Sequence, residues 1–147
     1  MFLLDPILKR IPLVILAWTL SAHAQRLLII ASPLVPESSI STKELSDIYI
    51  MKKQNWSDGV KIVPVNREVT SREREAFSSK VFHLSPQQMA DYWNRLRFQG
   101  KLPPSVQPSD QAVLNFVRTI PGAIGYVSMR TLPKDVKVLM ELQPDKP

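Results

Sequence analysis

The sequence predicts an α/β layered fold, with about four strands in a mixed or largely parallel central sheet and about four helices. Two observations carry this expectation. Leu27 to Ala31, a short apolar run without polar alternation, suits a strand buried on both faces, and Ala123 to Val127 reads as a further strand. Between them lie segments with apolar residues at helical spacing, each opened by a serine or threonine. Strand-like and helix-like segments alternate along the chain, the pattern of a sheet covered by helices.

The elements follow in order. Leu27-Leu28-Ile29-Ile30-Ala31 reads as the first strand, ended by Pro33 and Pro36. Ser41 and Glu44 form a capping box, with Ile40 and Leu45 at the staple positions, and Leu45, Ile48 and Tyr49 share one helical face. That helix is expected to end near Met51 to Lys53. Asn55 to Gly59 reads as a turn and Val60 to Val65 as a strand, in which Pro64 argues for an edge position or for pairing that stops there. Thr70 and Glu73 have capping-box spacing ahead of Phe77, Val81 and Leu84. Ser85 and Gln88 form another box, with Pro86 at the first helical position and Met89, Trp93 and Leu96 as the apolar face. Gln99 to Pro108, with Gly100 and three prolines, reads as a long loop. Ser109 is expected to cap a fourth helix with Val113, Leu114, Phe116, Val117 and Ile120 inward, stopped by Pro121-Gly122. A last strand is expected over Val136 to Met140, and 143–147 is expected to be a flexible tail.

The first residues read as an address. Lys9 and Arg10 precede an apolar run, Ile11 to Leu20, and Ala22-His23-Ala24 supplies an Ala-x-Ala site. Together these make a secretory signal peptide over 1–24, cleaved after Ala24, with an uncleaved membrane anchor as the alternative. The run is too short for a bilayer span, which needs about 20 residues, so no stable membrane span is expected after cleavage. The domain is then 25–142 and its location periplasmic. The 147-residue chain has no cysteine, which excludes disulfides, a lipid-anchoring cysteine and thiolate metal sites. Two histidines, His23 and His83, leave almost no material for a histidine zinc site or a Ser/His/Asp triad. No cofactor and no enzymatic activity are expected. The net charge of +6 comes with alternating signs, as in Arg72-Glu73-Arg74-Glu75, and without a Lys/Arg block, so a nucleic-acid partner is not expected.

The candidate site is the stretch from Val65 to Arg72, where a strand ends and a capped helix begins. In open α/β sheets ligands gather beyond the carboxyl ends of strands. A helix N-terminus offers free N–H groups and a positive dipole end. Thr70 and Ser71 add hydroxyls, and Arg67 and Arg72 add forked donors that match phosphate or carboxylate oxygens. The plain alternative is an ordinary cap with two solvated arginines. Ser38 and Ser39, in the loop after the first strand, are candidate secondary contacts.

The succession Ile40-Ser41-x-x-Glu44-Leu45-x-Asp47-Ile48-Tyr49, Trp56-x-Asp58-Gly59, Val63-Pro64-Val65-Asn66-Arg67, Ser71-x-x-Arg74-x-x-Phe77 and Pro121-Gly122-Ala123-Ile124-Gly125-Tyr126-Val127 resembles periplasmic phosphate-binding proteins of ABC transporters. The resemblance implies a single lobe of a type II periplasmic-binding-protein-like fold and binding of phosphate or a similar oxyanion. In that family an arginine followed by a Ser-Gly-Thr helix start contacts the anion. Arg67 matches the arginine and Ser71 the serine, whereas Arg72 stands where the glycine is expected and Glu73 where the threonine is. Two readings of function stay open: an oxyanion-binding module using Arg67, Thr70, Ser71, Arg72, Ser38 and Ser39, or a ligand-free envelope interaction or sensor module with a protein partner or a homodimer. A hydrolase is the remotest.

Overall fold

The computed structural model describes residues 25–143. The expected signal peptide and the last four residues lie outside the described residues. Five strands and four helices follow one another along the described residues: β1 (Leu27–Ala31), α1 (Thr42–Tyr49), β2 (Val63–Arg67), α2 (Arg72–Phe82), α3 (Pro86–Arg97), β3 (Ser105–Gln107), α4 (Asp110–Thr119), β4 (Ala123–Ser128) and β5 (Lys137–Leu142). They form one mixed sheet in the order β3-β2-β4-β1-β5. β2 runs parallel to β3 and to β4, and β1 runs antiparallel to both β4 and β5. β1 alone therefore points the other way.

The caps explain where the helices begin. Ser41 and Glu44, and Ser85 and Gln88, form complete capping boxes, and Ser109 accepts from the Ala112 N–H. α2 departs from the expected box. Its cap is Ser71, whose Oγ accepts from the Arg74 N–H at 3.1 Å, so Glu73 is in the first turn and not at the reciprocal position. α1 stops at Tyr49, slightly before the expected Met51 to Lys53.

The core lies on both faces of the sheet. On one face Leu27, Ile29, Ile124 and Tyr126 pack against Leu45, Ile48 and Tyr49 of α1 and Phe77 and Val81 of α2. On the other, Ile30, Val65 and Val127 meet Val113, Leu114 and Val117 of α4. The first strand, read as doubly buried, is so except for half-buried Leu28, and all of β4 is buried as well.

Two strand expectations are corrected. The loop over Gln99 to Pro108 contains β3, a three-residue strand between two prolines that buries no side chain fully, so neither period nor apolar run announces it. β2 is not an edge strand, although Pro64 does mark a change of partners. Val63 and Pro64 pair with β4, and only Val65 to Arg67 pair with β3.

Gly122 shows what the Pro121-Gly122 stop requires. Its φ is +76°, and a Cβ there would lie 2.2 Å from the Lys61 carbonyl oxygen. Trp56 is buried and donates its Nε1–H to the Gly122 carbonyl at 2.9 Å, holding the same turn against the domain. Gly122→Ala is expected to cost about 3 kcal/mol in urea unfolding, combining left-handed strain with a backbone clash. Gly59→Ala, at φ +85° but with no atom within 4 Å of the added Cβ, is expected to cost about 1 kcal/mol. Equal costs would mean that the Lys61 contact contributes nothing.

Candidate functional site

The carboxyl end of β2, the start of α2, the start of α4 and the turn after β4 meet at one end of the sheet. Because β1 is antiparallel, its beginning, and Gln25 just before it, also lie there. Ser38 and Ser39 follow the far end of β1, so both are exposed at the opposite end of the sheet from Arg67. The structure thus brings Arg67, Thr70, Ser71 and Arg72 to one end and leaves the two serines out.

Arg67 is the centre of this end. It is buried, and its guanidinium meets three carboxylates. Nε and Nη2 donate as a fork to the two oxygens of Glu68, each at 3.0 Å. Nη1 donates to Asp110 Oδ1 and lies 3.6 Å from Glu73 Oε2. Burial pushes the Arg67 guanidinium down, but the Glu68 hydrogen bonds and the charges of Asp110, Glu68 and Glu73 more than offset this and raise it. Conversely, the Arg67 hydrogen bond holds the Glu68 carboxyl below its usual range.

Asp110 is the first residue of α4, where free N–H groups and the dipole favour a negative charge. Its second oxygen accepts the Ser128 N–H at 2.9 Å and the Thr131 hydroxyl at 2.6 Å. Gln25 Nε2 donates to Ser128 Oγ at 2.9 Å and reaches Glu73 Oε1 at 3.5 Å. A guanidinium, a backbone N–H and a hydroxyl converging at a helix start are the donors that hold an oxyanion. Here a carboxylate of the chain itself receives them.

Behind Arg67 the backbone groups of β2 are bonded by side chains. Where pairing to β4 stops, the Tyr49 hydroxyl donates to the Val65 carbonyl at 2.8 Å and the Arg67 N–H donates to the Tyr126 hydroxyl at 3.2 Å. Tyr126 in turn donates to Asn66 Oδ1, and Arg74 Nη1 donates to the Arg67 carbonyl at 2.8 Å. Burial pushes both phenols well above the ordinary tyrosine value, so they stay neutral. The Phe77 ring stacks on Tyr126 with centroids 4.0 Å apart and lies 4.7 Å from Tyr49. A cavity between Asn66, Arg74, Ser78 and Trp93 has about 10 Å³, room for about one water molecule.

The remaining candidates stand apart from this network. Ser71 is buried as the cap, while Thr70 and Arg72 are exposed. Thr70 and Ser71 border an open groove of about 680 Å³ that continues past Glu75 and Ser79 to His83 and Pro86. Among the described residues no group of three or more His, Asp or Glu side chains is placed to hold a metal. Sequence reasoning found Arg67 but not its partners Asp110 and Glu68. Asp110 is 43 positions away, and no local pattern relates the two. Glu73, which stands in place of the family's threonine, was a visible signal.

A mixed sheet with helices packed on both faces is the layout of a periplasmic-binding-protein-like lobe. The chain belongs to the PBP superfamily, whose domain model matches residues 14–140. No curated protein matches it. Among solved structures it is similar to one described as a phosphate ABC transporter substrate-binding protein of Clostridium perfringens, with phosphate bound. That match has a TM-score of 0.61 and 21% identity, and covers 79% of this chain and 45% of that one. An ABC-type phosphate transport receptor of Vibrio cholerae aligns with a TM-score of 0.62 and 21% identity, over 79% of this chain and 47% of that one. The chain thus spans about half the length of these relatives, and the likeness establishes the fold. No helix of the described residues is long and apolar enough to cross a membrane.

Proposed function

We propose that this protein is an exported solute-binding-like lobe that acts by contact within the cell envelope and does not capture free phosphate at Arg67. One observation carries the reading: carboxylates outnumber the guanidinium three to one at Arg67, and Asp110 takes the donors that an oxyanion needs. A phosphate entering there would displace a carboxylate already fixed by three donors and would face two more at close range. Like charges at such distances disfavour one another strongly when shielded from water. Residues 1–24 act as the signal peptide in this reading, and the periplasm is the compartment.

A second reading rests on Thr70 and Ser71 bordering the open groove, with Arg72 exposed beside them. In it an oxyanion docks at the outer face of the α2 start, away from Arg67. Thermal unfolding of the exported protein with phosphate, against sulfate, separates the two. A ligand at a hundred times its dissociation constant stabilises by about 2.7 kcal/mol, on the order of ten degrees for a domain of this size. The expected result is no phosphate-specific shift at millimolar concentration. A shift that disappears in Arg72→Gln would establish the second reading, and one that disappears in Arg67→Lys would overturn the first.

A further inference from the structure

The last turn of α3 and the segment leading to β3 form an apolar tip in a cationic setting. Phe98 is 94% exposed and Leu102 75%, the former being the most exposed large hydrophobic side chain among the described residues. The tip is ordered by backbone bonds. The Gln99 and Lys101 N–H groups donate to the Leu96 carbonyl at 2.9 and 3.2 Å, and the Gly100 N–H donates to the Arg97 carbonyl at 3.0 Å. Gly100, at φ +75°, makes the reversal possible. Phe98 and Leu102 are thus held outward on either side of a closed turn and do not fold back onto the core.

The charged residues of the segment itself have one sign. Arg95, Arg97 and Lys101 are exposed, and none forms an ion pair among the described residues. No aspartate or glutamate occurs between Asp91 and Asp110. Elsewhere the chain mixes its charges closely, as in Arg72-Glu73-Arg74-Glu75. Val106 of the edge strand β3 is 53% exposed.

We infer that this tip docks on an anionic phospholipid bilayer, with Phe98 and Leu102 entering the interface and Arg95, Arg97 and Lys101 meeting the headgroup phosphates. Charge complementarity selects this occupant. Cations flanking outward aromatic and aliphatic groups match a surface that is anionic outside and apolar a few ångströms below. One or two inserted side chains give a reversible attachment and not a span. The tip lies toward the start of β3, away from the sheet end that carries Arg67, so the attachment holds whether or not any anion binds there.

The test is co-sedimentation of the exported protein with phosphatidylglycerol-containing vesicles and with pure phosphatidylcholine vesicles. Binding is expected to the first set, weakened by salt, and to be at least about tenfold weaker to the second. Phe98→Ser/Leu102→Ser, and separately Arg95→Gln/Arg97→Gln/Lys101→Gln, are each expected to lower it by about tenfold or more. Leu132→Ser, which removes a 77% exposed leucine from the loop after β4, is expected to leave it unchanged. Unaltered melting of the tip variants confirms that they fold. Absence of binding to anionic vesicles, or binding that the tip variants retain, overturns the proposal. Self-association that the Phe98/Leu102 variant abolishes, without vesicle binding, assigns the tip to a second copy of the chain and also overturns it.

Discussion

Arg67→Met is expected to destabilise the protein by about 3 kcal/mol, the lower end of the cost of removing one partner from a buried ionic cluster. The lower end applies because the residues left behind are half-buried, with side-chain exposures of 36% for Glu68, 19% for Glu73 and 16% for Asp110. Methionine keeps the bulk of the stem and adds no charge, so the loss reports the three carboxylates. Asp110→Asn in the same chain is expected to recover part of it. The pH dependence has a definite sign. Arg67 lowers the folded-state pKa of Glu68, so the associated stability is present above the ordinary value of 4.5 and is lost as pH falls through the lower folded value. The gap between wild type and Arg67→Met is therefore expected to narrow below about pH 4.5. Urea unfolding at neutral and acid pH measures both effects. A solvated ligand arginine behaves otherwise: its removal costs within about 0.5 kcal/mol and abolishes a phosphate response.

Phe77→Ala is expected to cost 3–5 kcal/mol, roughly 10–20 °C in Tm, the loss typical of a buried aromatic ring cut back to a methyl group. The cavity would open where Tyr49, Tyr126 and Phe82 surround the ring, with centroids at 4.7, 4.0 and 5.8 Å. Tyr126→Phe keeps that packing and removes the hydroxyl shared by Asn66 and the Arg67 N–H. Its expected cost is about 1–3 kcal/mol, that of leaving buried polar groups unpartnered. Thermal melts of the two variants rank the terms. A larger loss in Tyr126→Phe would make the hydrogen bonds, and not the ring volume, the main support behind the Arg67 site.

Much of this architecture was legible locally. Ser41, Ser85 and Ser109 announced helix starts because a cap is satisfied within four residues. Leu27 to Ala31 announced a buried strand because a strand covered on both faces tolerates few polar side chains. The segment around Arg72 failed for an equally local reason. Thr70 and Ser71 both have cap chemistry, and only the path of the chain out of β2 decides which of them takes the position.

The sequence by itself determined the fold class, the starts of α1, α3 and α4, the doubly buried β1 and the end of β2 as the polar end of the lobe. All of these follow from the hydrophobic period and from hydrogen bonds between near neighbours. Tertiary structure alone decided the direction of β1, which sends Ser38 and Ser39 away from Arg67, and the place of β3 beside β2. It also decided the meeting of Arg67 with Asp110 across 43 positions. Such pairings depend on which strand lies beside which and which way it runs. That choice is made by burial summed over the whole core, and no short stretch of chain encodes it.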